Sequence, residues 1–198
     1  MTKHVRKGRE RDERHALIIQ SARELAEAEG WDAVTTRRLS QRIEYSQPVL
    51  YTHFRGKDEI VAAVALVGFG ELVDRMKATI TPKGATRKSL AALVATYVEY
   101  AEANPAVYDA MFALSTGLPF AQDETPKPMR TAFAVLREAV MPQNGEGDPD
   151  VYAEICWASL HGLVSLERSG RLPEHTHRQR MAALVDQFLA ASAPTRPK

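Results

Sequence analysis

The chain has 198 residues, 44% of them hydrophobic and 26% charged, with a formal net charge of +1; at that length a fold buries roughly 70% of the surface the unfolded form exposes, so a core needs neither disulfides nor metal. The 11 Gly and 11 Pro are scattered, which excludes collagen-like and low-complexity chains, and the single cysteine, Cys156, can neither close an internal disulfide nor build a zinc site alone. Charge crowds residues 1 to 14 where a secretory signal needs an apolar core, and the longest apolar run, residues 60 to 70, is well short of the ~20 residues of a membrane span, so a cytoplasmic protein with no membrane association is expected.

Residues 1 to 58 carry 12 Lys and Arg against 9 Asp and Glu, and the remainder 14 against 16. The excess sits at the front, where Lys3, Arg6, Lys7, Arg9, Arg11 and Arg14 outnumber Glu10, Asp12 and Glu13. This stretch reads as a mobile basic arm that can lie along phosphates or enter a minor groove, or as a plain solvated tail.

Strand signals are nearly absent and apolar residues recur at helical spacing almost end to end, which predicts an all-α fold. A first helix is expected over about residues 12 to 29, with Leu17, Ile18, Ala22, Leu25 and Ala26 inward, Gly30 as its C-terminal cap and Trp31 folding back on it. Thr35 or Thr36 caps a short second helix that ends near Ile43. Ser46 caps a third over residues 47 to 54, where Pro48 is tolerated because first-turn N–H groups have no intrahelical acceptor to lose. A long fourth helix from Lys57 to about Ile80 buries Ile60, Val64, Val67, Leu72 and Met76, and residues 81 to 84 break it. Helices follow over about residues 87 to 104 and 105 to 114, then from near Pro126 or Pro128 through Val140, then over 149 to 169 and 176 to 191. Residues 115 to 122, 142 to 149 and 170 to 174 read as loops.

The informative stretch is Thr35 to Lys57. Leu39, Ile43, Leu50 and Phe54 supply the apolar side of two short helices joined through Glu44, Tyr45 and Ser46, the connection of a helix-turn-helix. The outward residues of the second helix, Gln47, Val49, Thr52 and His53, are small or polar, as a helix entering a major groove requires. Gln47 suits an adenine edge, Pro48 and Val49 suit thymine methyls, and Arg37 is long enough to reach a guanine. Hydroxyls on Thr36, Tyr51 and Thr52, the His53 imidazole and Lys57 suit phosphates. Taken singly, Tyr51 and Phe54 could be core aromatics, and Arg37, Arg38 and Arg42 a solvated face; together, at this spacing, they point to double-stranded DNA.

The run Thr35-Thr36-Arg37-Arg38-Leu39, then Gln47-Pro48-Val49-Leu50-Tyr51-Thr52-His53, then a basic loop and Lys57, resembles the DNA-binding domain of the tetracycline-repressor (TetR) family of bacterial transcription regulators. The resemblance implies base reading by Arg37, Gln47, Pro48 and Val49 and phosphate contacts from Tyr51, His53 and Lys57. It also implies an N-terminal three-helix helix-turn-helix domain over residues 1 to 56 and a helical effector-binding and dimerisation domain over 57 to 198. Where the family's turn holds glycine and an aliphatic residue, this chain has Glu44 and Tyr45, so Glu44 must take a left-handed conformation at some cost or the turn must differ.

A lone helix-turn-helix reads few bases, so such proteins pair to span two half-sites of a palindromic operator. The helix over 149 to 169 is apolar on more than one side, with Val151, Ile155, Ala158, Gly162 and Ser165 in one stripe, and its successor repeats Met181, Leu184, Val185, Phe188 and Leu189. A homodimer through Val151, Ile155, Ala158, Gly162, Leu184 and Phe188 is expected, against the plainer reading of two core helices of a monomer. Phe69, Met76, Tyr97, Tyr100, Tyr108, Met111, Phe112 and Phe133, with Trp157 and His161, suit an apolar pocket for a small effector, or plain core packing. Repression, with the effector shifting the readers off the grooves, is implied by the resemblance alone.

No nucleophile triad, phosphate-binding glycine loop or metal-spaced carboxylate set is present, and Cys156 and His161 point about 140° apart on a helix, so no enzyme, cofactor or metal is expected. The short His175-x-His177 motif reads as a turn. The alternative function is a helical protein-interaction module, or a small-molecule-binding protein without DNA-binding activity.

Overall fold

The computed structural model describes residues 3 to 80, 86 to 140 and 147 to 192. Among them are nine α-helices, two short 3-10 turns and no strand. The helices are α1 (Lys3–Glu29), α2 (Thr36–Arg42), α3 (Gln47–Tyr51), α4 (Lys57–Lys77), α5 (Arg87–Ala103), α6 (Pro105–Phe112), α7 (Lys127–Val140), α8 (Pro149–Arg168) and α9 (His177–Ser192). The all-α expectation holds, and no helix is long and apolar enough to cross a membrane among the described residues. The expected break at 81 to 84 and most of the loop at 142 to 149 lie outside the described residues.

Three ends differ from expectation for local reasons. The basic stretch is not an arm: α1 is helical from Lys3, and side-chain pairs one turn apart, Arg6 with Glu10 at 3.3 Å and Arg9 with Glu13 at 3.0 Å, run along it. A helix made of charged residues has no apolar period to betray it. Helix α3 stops at Tyr51, because the Thr52 and His53 N–H groups bond three residues back to Val49 and Leu50 at 3.1 and 3.0 Å, tightening the last turn. Helix α4 stops at Lys77, where the Thr79 N–H and hydroxyl both donate to the Met76 carbonyl at 2.9 and 2.7 Å.

The chain forms two compact units, Met1–Phe69 with Asn104–Pro126 and Gly70–Ala103 with Lys127–Lys198. In the first, Ile18, Ala22, Leu25 and Ala26 of α1 are buried with Trp31, Val34, Leu39, Leu50, Phe54, Ile60 and Val64, whereas Leu17 and Val67, expected inward, are 42% and 41% exposed. Helix α6 belongs to this unit although it lies far along the sequence. Trp31 donates its indole N–H to the Ala106 carbonyl at 2.7 Å, and the Glu27 carboxylate accepts the backbone N–H groups of Ala106 and Val107 at 3.0 Å each. Asn104, at the N-cap position, makes no cap bond with its side chain and instead accepts from Arg23 at 2.7 Å. Glu27 of α1 therefore caps α6 from outside, a carboxylate at the positive end of a helix.

In the second unit α7 packs on α8 and α5 on α9. The interior holds Leu90, Leu93, Val94, Tyr97 and Val98 of α5, Val135 and Leu136 of α7, Cys156, Leu160 and Val164 of α8, and Leu184, Val185 and Phe188 of α9. Helix α8 ends in a turn in which Gly170, at φ 67°, places its own N–H on the Glu167 carbonyl and the Arg171 N–H on the Leu166 carbonyl, both at 2.9 Å.

Candidate nucleic-acid interface

Helices α2 and α3 are fixed from beneath and clear above. Thr35, in extended conformation, accepts the Arg38 N–H on its hydroxyl at 3.2 Å and so starts α2. At the other end the Ile43 N–H bonds to Leu39 and the Tyr45 N–H to Ser40, both at 3.0 Å, with Glu44 between them at φ 57°. Of the two routes open to it, Glu44 takes the left-handed one and closes the turn that glycine would close freely. Ser46 occupies the N-cap of α3 but makes no side-chain cap bond; its carbonyl accepts the Val49 and Leu50 N–H groups at 3.0 and 3.3 Å. Leu39 and Leu50 are fully buried, which pins α2 and α3 as a pair.

Above this base, Gln47, Pro48, Tyr51 and Thr52 are exposed, and Val49 is half-buried. Of the three arginines of α2, two are spoken for. Arg38 holds Glu29 of α1 with two bonds of 2.8 Å, and Arg42 holds Glu24 at 2.8 Å. The Arg38 pairing pulls the Glu29 carboxyl below its ordinary range. Arg38, expected on the DNA side, thus ties α2 to α1, while Arg37 is exposed and makes no hydrogen bond or ion pair among the described residues.

The phosphate candidates cluster around the end of α3. Tyr51 is 51% exposed, with its hydroxyl 3.5 Å from that of Thr36, and Thr52 turns its hydroxyl back to the Val49 carbonyl at 2.7 Å. His53 is half-buried, its ring centre 6.1 Å from that of His15, which stacks on Phe54 at 4.5 Å. Burial, then the charges of His15, Arg11 and Arg14, hold the His53 imidazole below its ordinary range. Lys57 opens α4 and donates to the Trp31 carbonyl at 2.5 Å, which uses one of three ammonium donors and fixes where the others sit. The approach of Arg11, Arg14 and His15 to this end of α3 does not follow from a mobile arm over residues 1 to 14; the sequence signal for it is their helical register with Ile18 and Ala22.

The residues expected to line an effector pocket divide between the units. Phe69, Met111 and Phe112 belong to the first, where Phe112 meets Phe69 edge-on at 5.3 Å and Tyr108 at 4.8 Å. Met76, Tyr97 and Tyr100 are buried in the second, Tyr100 donating to Glu71 at 3.1 Å beneath the Arg75 guanidinium; Phe133, Trp157 and His161 are half-buried there. A half-open cavity of about 980 Å³ lies elsewhere in the second unit, between Val98 and Glu102 of α5, the end of α8 and the start of α9, with Leu172 at its rim. None of the expected effector residues lines it.

The expected dimer residues also separate. Val151 and Ile155 are 47% and 49% exposed, Ala158 is exposed and Gly162 half-buried, so one stripe of α8 faces outward. Leu184 and Phe188 are only 6% and 4% exposed. Their seam is filled inside the chain, which removes these two from the surface a partner could touch.

Glu102, Glu167 and His177 bring one ligand atom each within 4.8 Å of one another. Glu167 already accepts from His177 at 3.0 Å and from Arg180, whose guanidinium supplies two N–H groups, so the cluster locks the start of α9 onto the end of α8 and a cation there would have to displace an arginine. Cys156 is buried, and burial pushes its thiol up to about 12, which leaves no thiolate at neutral pH.

Residues 18–64 match the family model for bacterial regulatory proteins of the tetR family, and residues 90–191 match that for a tetracyclin repressor-like C-terminal domain. The uncharacterized HTH-type transcriptional regulator YobS of Bacillus subtilis (strain 168) is 33% identical over 94 residues, 48% of this chain, and the match spans about half of that protein, 49%. A second uncharacterized HTH-type regulator, Rv0681 of Mycobacterium tuberculosis (strain ATCC 25618 / H37Rv), is 27% identical over 159 residues, 77% of this chain and 69% of that protein. A solved structure from Rhodococcus sp. RHA1, described as a protein with unknown function, shares the fold at a TM-score of 0.74 and 21% identity, covering 90% of this chain and 95% of that one. With the C-terminal match alone spanning more than half of the residues and the helix-turn-helix matched beside it, the chain belongs to the TetR family of DNA-binding transcriptional regulators.

Proposed function

We propose that this regulator is a cytoplasmic homodimeric repressor that holds a palindromic operator until a small apolar or aromatic effector releases it. The observation that carries the reading is the contrast on α2 and α3: the side chains that would read bases, Arg37, Gln47 and Pro48, are exposed, while their neighbours Arg38 and Arg42 are tied to α1. In this reading Gln47 bonds an adenine edge, Pro48 and Val49 meet thymine methyls, Arg37 reaches a guanine, and Thr36, Tyr51, Thr52, His53 and Lys57 grip phosphates.

Pairing falls to the outward stripe of α8, Val151, Ile155, Ala158 and Gly162, where small residues let a second copy of the helix approach closely. Regulators of this family bind small-molecule ligands as well as DNA. Met76, Tyr97, Tyr100, Phe133, Trp157 and His161 of the second unit are the candidates for an apolar effector, while the packing among Phe69, Tyr108 and Phe112 favours a core role for the first-unit set. Helix α4 begins at Lys57 and continues into the second unit's sequence, so a ligand that displaces it moves a phosphate contact.

Sedimentation of the protein alone and with duplexes enriched from random sequence tests the reading. Two chains in free solution and two per duplex are expected. A monomer at working concentrations that binds one chain per duplex would overturn it.

A further inference from the structure

The side of α1 that packs on the helix-turn-helix does not end where the core ends. Ile18, Ala22 and Leu25 are buried along it, and counting back three or four residues at a time gives Arg14 and His15, then Arg11, then Lys7. Apolar residues stop and cations continue on the same side. The other faces of these turns are largely neutralised in place: Arg6 pairs with Glu10 and Arg9 with Glu13, while Lys7 and Arg11 are exposed and make no ion pair or hydrogen bond among the described residues. Arg14 reaches Glu10 only at 3.7 Å.

This arrangement is not explained by helix stability. The first turn of α1 holds no acidic residue, and cations near a helix N-terminus oppose the helix dipole. The stripe is also continuous with the phosphate-contacting end of α3, since His15 stacks on Phe54 and lies 6.1 Å from the His53 ring, and Arg11 and Arg14 are close enough to disfavour a proton on His53. Arg11, Arg14 and His15 thus gather beside His53, with Lys7 one turn further along the same side of α1, and the partner whose charge complements them is the sugar–phosphate backbone of the operator.

We propose that Lys7, Arg11 and Arg14, with His15, form a second phosphate-binding surface along the helical start of α1, running on from Tyr51 and His53 and gripping the duplex backbone beside each half-site. The surface adds affinity and fixes the angle of α1 on the duplex without reading bases. It rests on α2 and α3 being the reader of the same duplex.

The test is a salt titration by fluorescence anisotropy on a duplex enriched from random sequence, with phosphate-ethylation interference on the same duplex. A variant carrying Lys7→Gln and Arg11→Gln should lower the slope of log K against log salt by about 2 per protomer, at roughly 0.9 per lost contact. It should also lose interference at the outermost phosphates and keep its base preference. Arg9→Gln, which removes one positive charge from a paired position on another side of α1, should leave the interference pattern unchanged. Circular dichroism checks that the helix is retained in each variant. An unchanged slope and pattern in the double variant, or an equal effect of Arg9→Gln on the pattern, overturns this surface and leaves the reader standing; failure of the unsubstituted chain to bind the duplex sinks both.

Discussion

Glu44 offers the sharpest quantitative check, because one side chain carries two separable costs. Its backbone sits at φ 57°, where a residue with a Cβ is disfavoured by roughly 1–2 kcal/mol. Glycine there removes that strain, and gives part of it back by freeing the unfolded chain, so Glu44→Gly should stabilise the fold by about 1 kcal/mol. For a chain of this size that raises Tm by about 2–4 °C. The second cost is charge. A carboxylate in the turn that precedes α3 repels phosphates, and two unit charges at ~10 Å in water interact by about 0.4 kcal/mol before screening, so each half-site should gain roughly twofold in affinity. Glu44→Gln separates the two costs: it keeps the backbone strain and loses the charge, so it should bind DNA more tightly with Tm unchanged. Thermal unfolding and anisotropy titration at fixed salt read both quantities. A lower Tm for Glu44→Gly would exclude the backbone cost, and equal or weaker DNA binding by both variants would exclude the charge cost.

Replacing Gln47 with Ala should cost about 1–3 kcal/mol of discrimination at one base pair per half-site. Lys57→Ala should instead weaken all sequences alike, flatten the salt slope and also lower Tm, because its ammonium is bonded to the Trp31 carbonyl; indistinguishable footprints for the two variants would reject these roles. His53, partly buried and faced by His15, Arg11 and Arg14, resists protonation in the folded chain but not in the unfolded one, so its contribution to stability is present above the ordinary imidazole range and is lost as pH falls from that range through the lower value the fold imposes. A phosphate beside the ring favours the proton, so DNA binding should tighten over the same fall in pH; His53→Gln should weaken both trends, and pH profiles matching the parent's would contradict this. A Cβ added at Gly162 meets nothing within 4 Å in this chain, so Gly162→Leu should leave the monomer folded and block pairing of α8, as read by sedimentation and circular dichroism; a stable dimer of the variant would move the interface elsewhere.

Much of the reader was legible because its cues are local. Thr35 as a cap, the buried Leu39 and Leu50 and the difficulty at Glu44 are all consequences of residues within one turn of each other. What lay between distant segments was not. Nothing in the sequence says that Glu27 caps α6, since a carboxylate on an amphipathic helix has no preferred partner until the fold supplies one. Arg37, Arg38 and Arg42 look alike in sequence, and only the positions of Glu24 and Glu29 on the neighbouring helix decide which of them stays outward. Periodicity marks Leu184 and Phe188 as buried but cannot distinguish burial in their own chain from burial against a second one. The cavity beside Leu172 is lined largely by a turn and by charged residues, which carry no apolar pattern.

In the proposed function two copies of the α2–α3 pair, joined through their second units, read one duplex. Repeated rounds of selection from random-sequence DNA, followed by sequencing, test it most directly. The expected product is an inverted repeat whose half-sites lie about one helical turn apart, with a position that loses its preference in Gln47→Ala. Enrichment of a single unsymmetrical element, or of no sequence at all at moderate salt, would contradict it.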